Sequence, residues 1–308
     1  NMGGFCTCQG GSTNSIGPGC SDPHSAGAIA TAQNLGPRWE VDAASGYAVH
    51  PHSTPVGPWF GRLRFDLADL VPGANYFGEV LVLHPDEEAE SATNNAAWRP
   101  LLVSEQSGNA AVTLTGATAP GAAAIEAWKT LVGGVSEAAL DVPGDGRYII
   151  AARVVRIGGN QWNYEYAVFN LNSHRSARAF GLPRPAGVVV SMNGFHDVGY
   201  HSGDGPGGVD VSGADWNWFE TADAIRWETA TEASDPAANA LRWGTLYNFR
   251  LACNMMPIGG EPIIEFYREG EPGALSAELP VPGLISCLGD HNGDSARTVP
   301  DIFAFLSD

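Results

Sequence analysis

The sequence predicts a mainly β protein, an antiparallel β-sandwich or jelly-roll with one short helix and an irregular N-terminal arm. Three observations lead there. Gly and Pro number 39 and 21 among 308 residues, which suits many short strands joined by tight turns. Long stretches alternate apolar and polar side chains with the period of two that a half-buried strand requires. One stretch alone carries the three- and four-residue spacing of an amphipathic helix.

Residues 1–58 hold little periodicity, and His50, Pro51, His52, Ser53, Thr54 and Pro55 together exclude helix and resist a central strand. This segment is expected to wrap the fold as an arm. The core is expected over 59–278, divisible near 135–145. Residues 61–70 alternate Leu63, Phe65 and Leu67 against Arg62, Arg64 and Asp66, the pattern of a half-buried strand. The denser apolar run 76–84 suits a central strand, and 98–104 and 110–118 read as two more. Ile125, Trp128 and Leu131 place the helix within 121–132, ended by Gly133 and Gly134.

The strongest β signal runs from 147 to 171. Tyr148, Ile150, Ala152 and Val154 share one face, Gly158, Gly159 and Asn160 form a hairpin turn, and Trp162, Tyr164, Tyr166 and Val168 return on one side. Residues 188–192 make a short strand. The clearest alternation is 241–253, with Leu241, Trp243, Thr245, Tyr247, Phe249 and Leu251 on one face. Residues 263–268 are expected beside it. The Pro-rich stretch 279–283 reads as a linker to a small C-terminal unit, 279–308.

The formal net charge is −18, which repels nucleic acid and anionic membranes. Acidity favours calcium, basic partners and solubility. No run of 18 apolar residues exists, so no span of a membrane is expected. The low charge content and the opening at Asn1 lead to the expectation of an exported chain with an upstream segment removed. Among five cysteines, Cys6, Cys8 and Cys20 crowd the N-terminal arm, while Cys253 and Cys287 flank the C-terminal region. The spacing lacks the paired knuckles of a zinc ribbon, so disulfides are expected: Cys20 with Cys6 or Cys8, and Cys253 with Cys287, leaving one thiol over.

The sharpest chemical signal is near the end. Asp290, Asn292, Asp294 and Asp301 stand at positions 1, 3, 5 and 12 of an EF-hand-type loop, with Ala296 offering a backbone carbonyl at position 7. Hard oxygen ligands at these steps can wrap one calcium ion. Ser295 replaces the usual glycine and Asp301 the usual glutamate, which suits a structural site. A short helix is expected over 302–306. A second polar stretch, 196–210, holds His196, Asp197, His201, Asp204 and Asp210 among glycines. It reads either as a loop held by its own hydrogen bonds or as a transition-metal or hydrolytic site. His50 and His52 read as exposed loop residues. Trp216 and Trp218 read as core, with a sugar-stacking platform as the alternative.

The calcium segment resembles a type I dockerin repeat, in the form D-x-N-G-D followed by PDI-x-x-F-L, with one repeat where dockerins carry two. The chain as a whole resembles a family of secreted proteins from planctomycete-type bacteria. The stretches that carry the likeness are GCSDP at 19–23, LGPR at 35–38, VPGDG at 142–146, YEYAVFNLNS at 164–173, GFHDV at 194–198, YHSG at 200–203 and LRWGTLYNFR at 241–250. The resemblance implies an exported protein with a dockerin-like tail and no particular reaction. The expected function is a secreted structural or cell-surface assembly protein, a subunit of an extracellular filament or matrix. It would self-associate through the N-terminal arm or a sheet edge. The alternatives are a carbohydrate-binding module and a hydrolase built on 196–210.

Overall fold

The structure is a computed structural model and describes residues 37–53, 66–85, 93–200, 203–284 and 299–307. Its centre is the long hairpin read from the alternation. Strands β6 (Arg147–Gly158) and β7 (Gln161–Asn170) pair antiparallel. Gly159 at the turn has a positive φ of 53°, the left-handed region that favours glycine. β5 (Val135–Asp141) flanks β6, while β12 (Thr245–Cys253) and then β9 (Val190–His196) flank β7. These five strands form the first sheet.

The second sheet is also five-stranded and antiparallel. Its order is β10 (Asn217–Glu220), β11 (Ala224–Glu228), β8 (Ala177–Pro183), β14 (Ile263–Phe266) and β15 (Ala274–Ser276). The two sheets bury one core between them. It is rich in aromatic rings: Tyr148, Tyr164, Tyr166, Phe180, Trp227, Tyr247 and Phe249 are all buried there. Each such ring removes about 150–250 Å² from water, so this face supplies most of the drive to fold. Phe180 and Phe249 meet across the sandwich with ring centres 4.6 Å apart.

The tyrosine hydroxyls carry this core to a neighbouring ribbon. β13 (Met256–Gly260) pairs with β16 (Leu279–Gly283). Tyr164 Oη donates to the Met255 carbonyl at 2.9 Å and Tyr166 Oη to the Pro280 carbonyl at 2.7 Å. The expected linker at 279–283 is therefore a strand, with Leu279 and Val281 buried in the core. A two-stranded ribbon is all edge, so Pro280 and Pro282 need no second partner for their missing N–H groups.

The far face of the first sheet is covered too. A smaller sheet lies there, with β1 (Tyr76–Leu81) and β3 (Asn109–Leu114) on β2 (Ala96–Gln106), and β4 (Ala119–Pro120) also on β2. Helix α1 (Glu126–Leu131) sits beside it. Ala96, Ala123, Ile125, Ile149, Ala151 and Phe169 form the second buried cluster. The sandwich thus becomes three-layered at this end. β1 lies at the edge of its sheet, where a central strand was expected, because its partner on one side is β2 and the described strands supply none on the other.

Two further expectations change. The described part of 61–70 is a 3-10 turn, Leu67–Asp69, held by Asp66, whose carboxylate accepts from the Ala68 amide at 3.0 Å; residues 59–65 lie outside the description. β14 lies in the second sheet against β8, not beside β12. The 241–253 strand begins only at Thr245. Gly244 has a φ of 65°, and Leu241 before it bridges to Ala177. The chain crosses from one sheet to the other at that glycine. No described helix is long and apolar enough to cross a membrane.

Candidate functional site

The 196–210 stretch begins inside a strand, and that decides its chemistry. His196 ends β9 opposite Asn248, on the outer face of the first sheet, and is exposed. Phe195 and Asp197 point the other way, as alternation along an extended chain demands. Phe195 packs in the core, stacked on Trp216 with ring centres 5.6 Å apart. His196 and Asp197 thus leave the strand on opposite sides, although the imidazole still lies near enough to favour the charged Asp197 carboxylate.

Asp197 meets a fully buried side chain, Asn239. The Asn239 amide nitrogen donates to the Asp197 carboxylate and to the Ala214 carbonyl at 2.8 Å. Its side-chain oxygen accepts from Tyr247 Oη at 2.6 Å, and its backbone carbonyl accepts from Trp216 Nε1 at 2.5 Å. Tyr200 Oη and Tyr247 Oη lie 2.9 Å apart, and both reach the Ala240 carbonyl. Burial pushes the Asp197 carboxyl up and nearby Asp215 adds to this, while the bond from Asn239 opposes it. The Tyr247 phenol is also raised well above its ordinary value, chiefly by burial. The Asn239 side chain and the Tyr247 hydroxyl are both bonded within the chain. The arrangement clasps residues 197–216 to the end of the sandwich.

The remaining described members of the stretch lie around it. Asp210 accepts from the Gly203 amide at 3.1 Å. Asp204 is half-buried ahead of the turn Pro206–Gly208. His201 lies outside the described residues. Among the described residues, no three His, Cys, Asp or Glu side chains gather as metal ligands would. Trp216 is buried and Trp218 is half-buried against the same core, so neither forms an open platform.

Cys253 corrects another expectation. It is a free thiol, fully buried, and not half of a disulfide with Cys287. As the last residue of β12 it points between the sheets, where its Sγ lies 3.8 Å from the Met255 carbonyl. Burial raises its pKa, the mark of an inert cysteine. Cys6, Cys8, Cys20 and Cys287 lie outside the described residues. So do Asp290, Asn292, Asp294 and Ala296, the residues expected to hold calcium. Asp301 falls within helix α2 (Val299–Ser307), which covers the short helix expected there.

Sequence reasoning missed one concave feature. Glu165 and Ala167 of β7 and Leu246, Asn248 and Arg250 of β12 form the floor of a groove of about 380 Å³. Phe77 and Trp128 stand among its walls. The floor residues are cross-strand neighbours, Arg250 opposite Glu165 and Asn248 opposite Ala167. Arg250 pairs with Glu165 at 3.2 Å. The polar positions of 241–253 signalled one wet face, but nothing in the order of residues showed that β1 and α1 would roof it.

No protein-family model matches the chain, and no curated protein matches it.

Proposed function

We propose that this protein is an assembly subunit that works outside the cell, building a filament, matrix or surface layer through contacts between copies. One observation carries the reading. The polar cluster most suited to chemistry is closed by its own hydrogen bonds, while an apolar sheet face is turned to solvent. A protein built for turnover needs converging polar groups left open toward a ligand. In this reading the 290–301 segment holds calcium and stiffens the C-terminal end, as in a dockerin repeat. The N-terminal arm adds cysteine cross-links. The test is sedimentation of the purified chain with and without calcium over a wide concentration range. Association that grows with concentration is expected; a monomer at every concentration, with calcium present, refutes the proposal.

The groove favours one alternative, a glycan-binding module. Phe77 and Trp128 offer apolar walls and Arg250, Glu165 and Asn248 a polar floor, the mixture that recognises a sugar ring. A glycan array without binding removes it. A hydrolase on 196–210 gains no support from a loop whose His196 and Asp197 face opposite ways.

A further inference from the structure

The small sheet has two unlike faces, and the register assigns every side chain to one of them. Phe77, Glu79, Leu81, Ala96 and Trp98 face inward, where Leu81 and Ala96 join the second cluster. Tyr76 and Val80 of β1, Ala97, Arg99, Leu101, Val103 and Glu105 of β2, and Val112 and Leu114 of β3 face outward. Val112 is 52% exposed and Leu114 56%, with Leu101 and Val103 half-buried beside them, and Val80 is 59% exposed on the far strand. Leu102, 61% exposed, is the exception and stands on the opposite face. Neighbouring aliphatic side chains on one sheet face mark a contact surface.

Charge narrows the partner. The chain carries −18, so most contacts between copies set like charges together. This face is the exception. Residues 101–120 contain a single charged residue, Glu105. The outward face of the sheet adds one more, Arg99, of opposite sign, whose Nε also donates to the Thr115 carbonyl at 3.3 Å. The two stand three residues either side of position 102 on β2.

That placement is self-complementary. Consider two copies stacked face to face, related by a two-fold axis between the sheets and perpendicular to β2 at residue 102. Such an axis reverses the strand, so Arg99 of each copy faces Glu105 of the other. The apolar rows match as well. Leu114 pairs with Leu101 and Val112 with Val103, one position either side of the axis, so Val112 meets Leu114 and Leu101 meets Val103. Packed sheets lie about 10 Å apart, a gap that an arginine and a glutamate span together.

The geometry points to this sheet face as a two-fold contact with a second copy of the chain, closed at each end by an Arg99–Glu105 ion pair. It rests on the assembly reading and names a surface for it, a face in place of the arm or edge. Isologous contacts of this kind are the commonest way that chains pair.

Charge reversal tests it on the full chain by sedimentation. Glu105→Arg and Arg99→Glu are each expected to weaken association at least tenfold, by placing like charges together at both ends. The double variant R99E/E105R restores the pairing and is expected to return association to within about threefold of the original. Leu114→Asp, at a position more than half exposed, is expected to abolish it while the circular dichroism spectrum stays unchanged. If the original chain associates and the single reversals do not weaken it, or the double variant fails to restore it, this surface is wrong and the assembly reading survives. If the original chain never associates, both fall.

Discussion

Removing the Asn239 side chain should loosen the whole 197–216 clasp, and the loss can be worked from its contacts. Asn239→Ala deletes a bond from the amide to the half-buried Asp197 carboxylate, one to the Ala214 carbonyl and one from Tyr247 Oη. A bond to a charged group contributes about 1.5–3 kcal/mol and a neutral one about 1 kcal/mol. Tyr247 keeps Ala240 and Tyr200 as partners, so its share is the smallest. Asp197 is half-buried and Ala214 is exposed, so water takes over part of both bonds. The expected cost is about 2–3 kcal/mol, measured as the fall in unfolding free energy in urea at neutral pH. Protection of the 197–216 amides from hydrogen exchange should fall with it. A variant within about 0.5 kcal/mol of the original would refute the claim that this cluster is structural.

Gly146→Ala should destabilise by about 2–3 kcal/mol, because its Cβ would lie 2.5 Å from the backbone of Asn172 and Ser173, where nothing can yield; thermal unfolding reads this directly. Glu265 bonds Arg226 and Arg178 on the outer face of the second sheet, and its carboxyl is held below the ordinary range mainly by Arg226. A lowered folded pKa gives stability that is present above the unfolded value and lost as pH falls through the folded one. Glu265→Gln should therefore cost about 1 kcal/mol at pH 7 and nothing at pH 2, and an equal cost at both would contradict it. Cys253 should resist alkylation in the native protein and react once denaturant unfolds the sandwich, as peptide mapping would show; native labelling, or recovery of a Cys253–Cys287 peptide pair, would count against the buried thiol.

The sandwich was legible where burial is one-sided. The alternation at 147–171 and 245–253 assigns each side chain to a face without any knowledge of neighbours, and the two runs pair through β7 and β12. What alternation does not carry is partnership. Residues 263–266 read as the neighbour of β12, yet Ile264 lies opposite Phe180 in the other sheet. Pairing depends on the route between strands, and after β12 the chain leaves the first sheet through the β13 ribbon before β14 joins β8. Prolines misled for a related reason. They forbid a central strand, but 279–283 forms a ribbon with free edges, which tolerates them. At the candidate site, the residue types in 196–210 suggested a loop, but His196 is still in the strand and Asp197 turns to Asn239. Asn239, which organises the clasp, sits in an Ala-rich stretch with no motif to announce it.

The central claim concerns what the folded chain does in bulk, and imaging the native material tests it most directly. Electron micrographs of material taken from the source, kept in calcium, should show repeating arrays or filaments with the β-sandwich as the unit. Well-separated single particles in every field would contradict it.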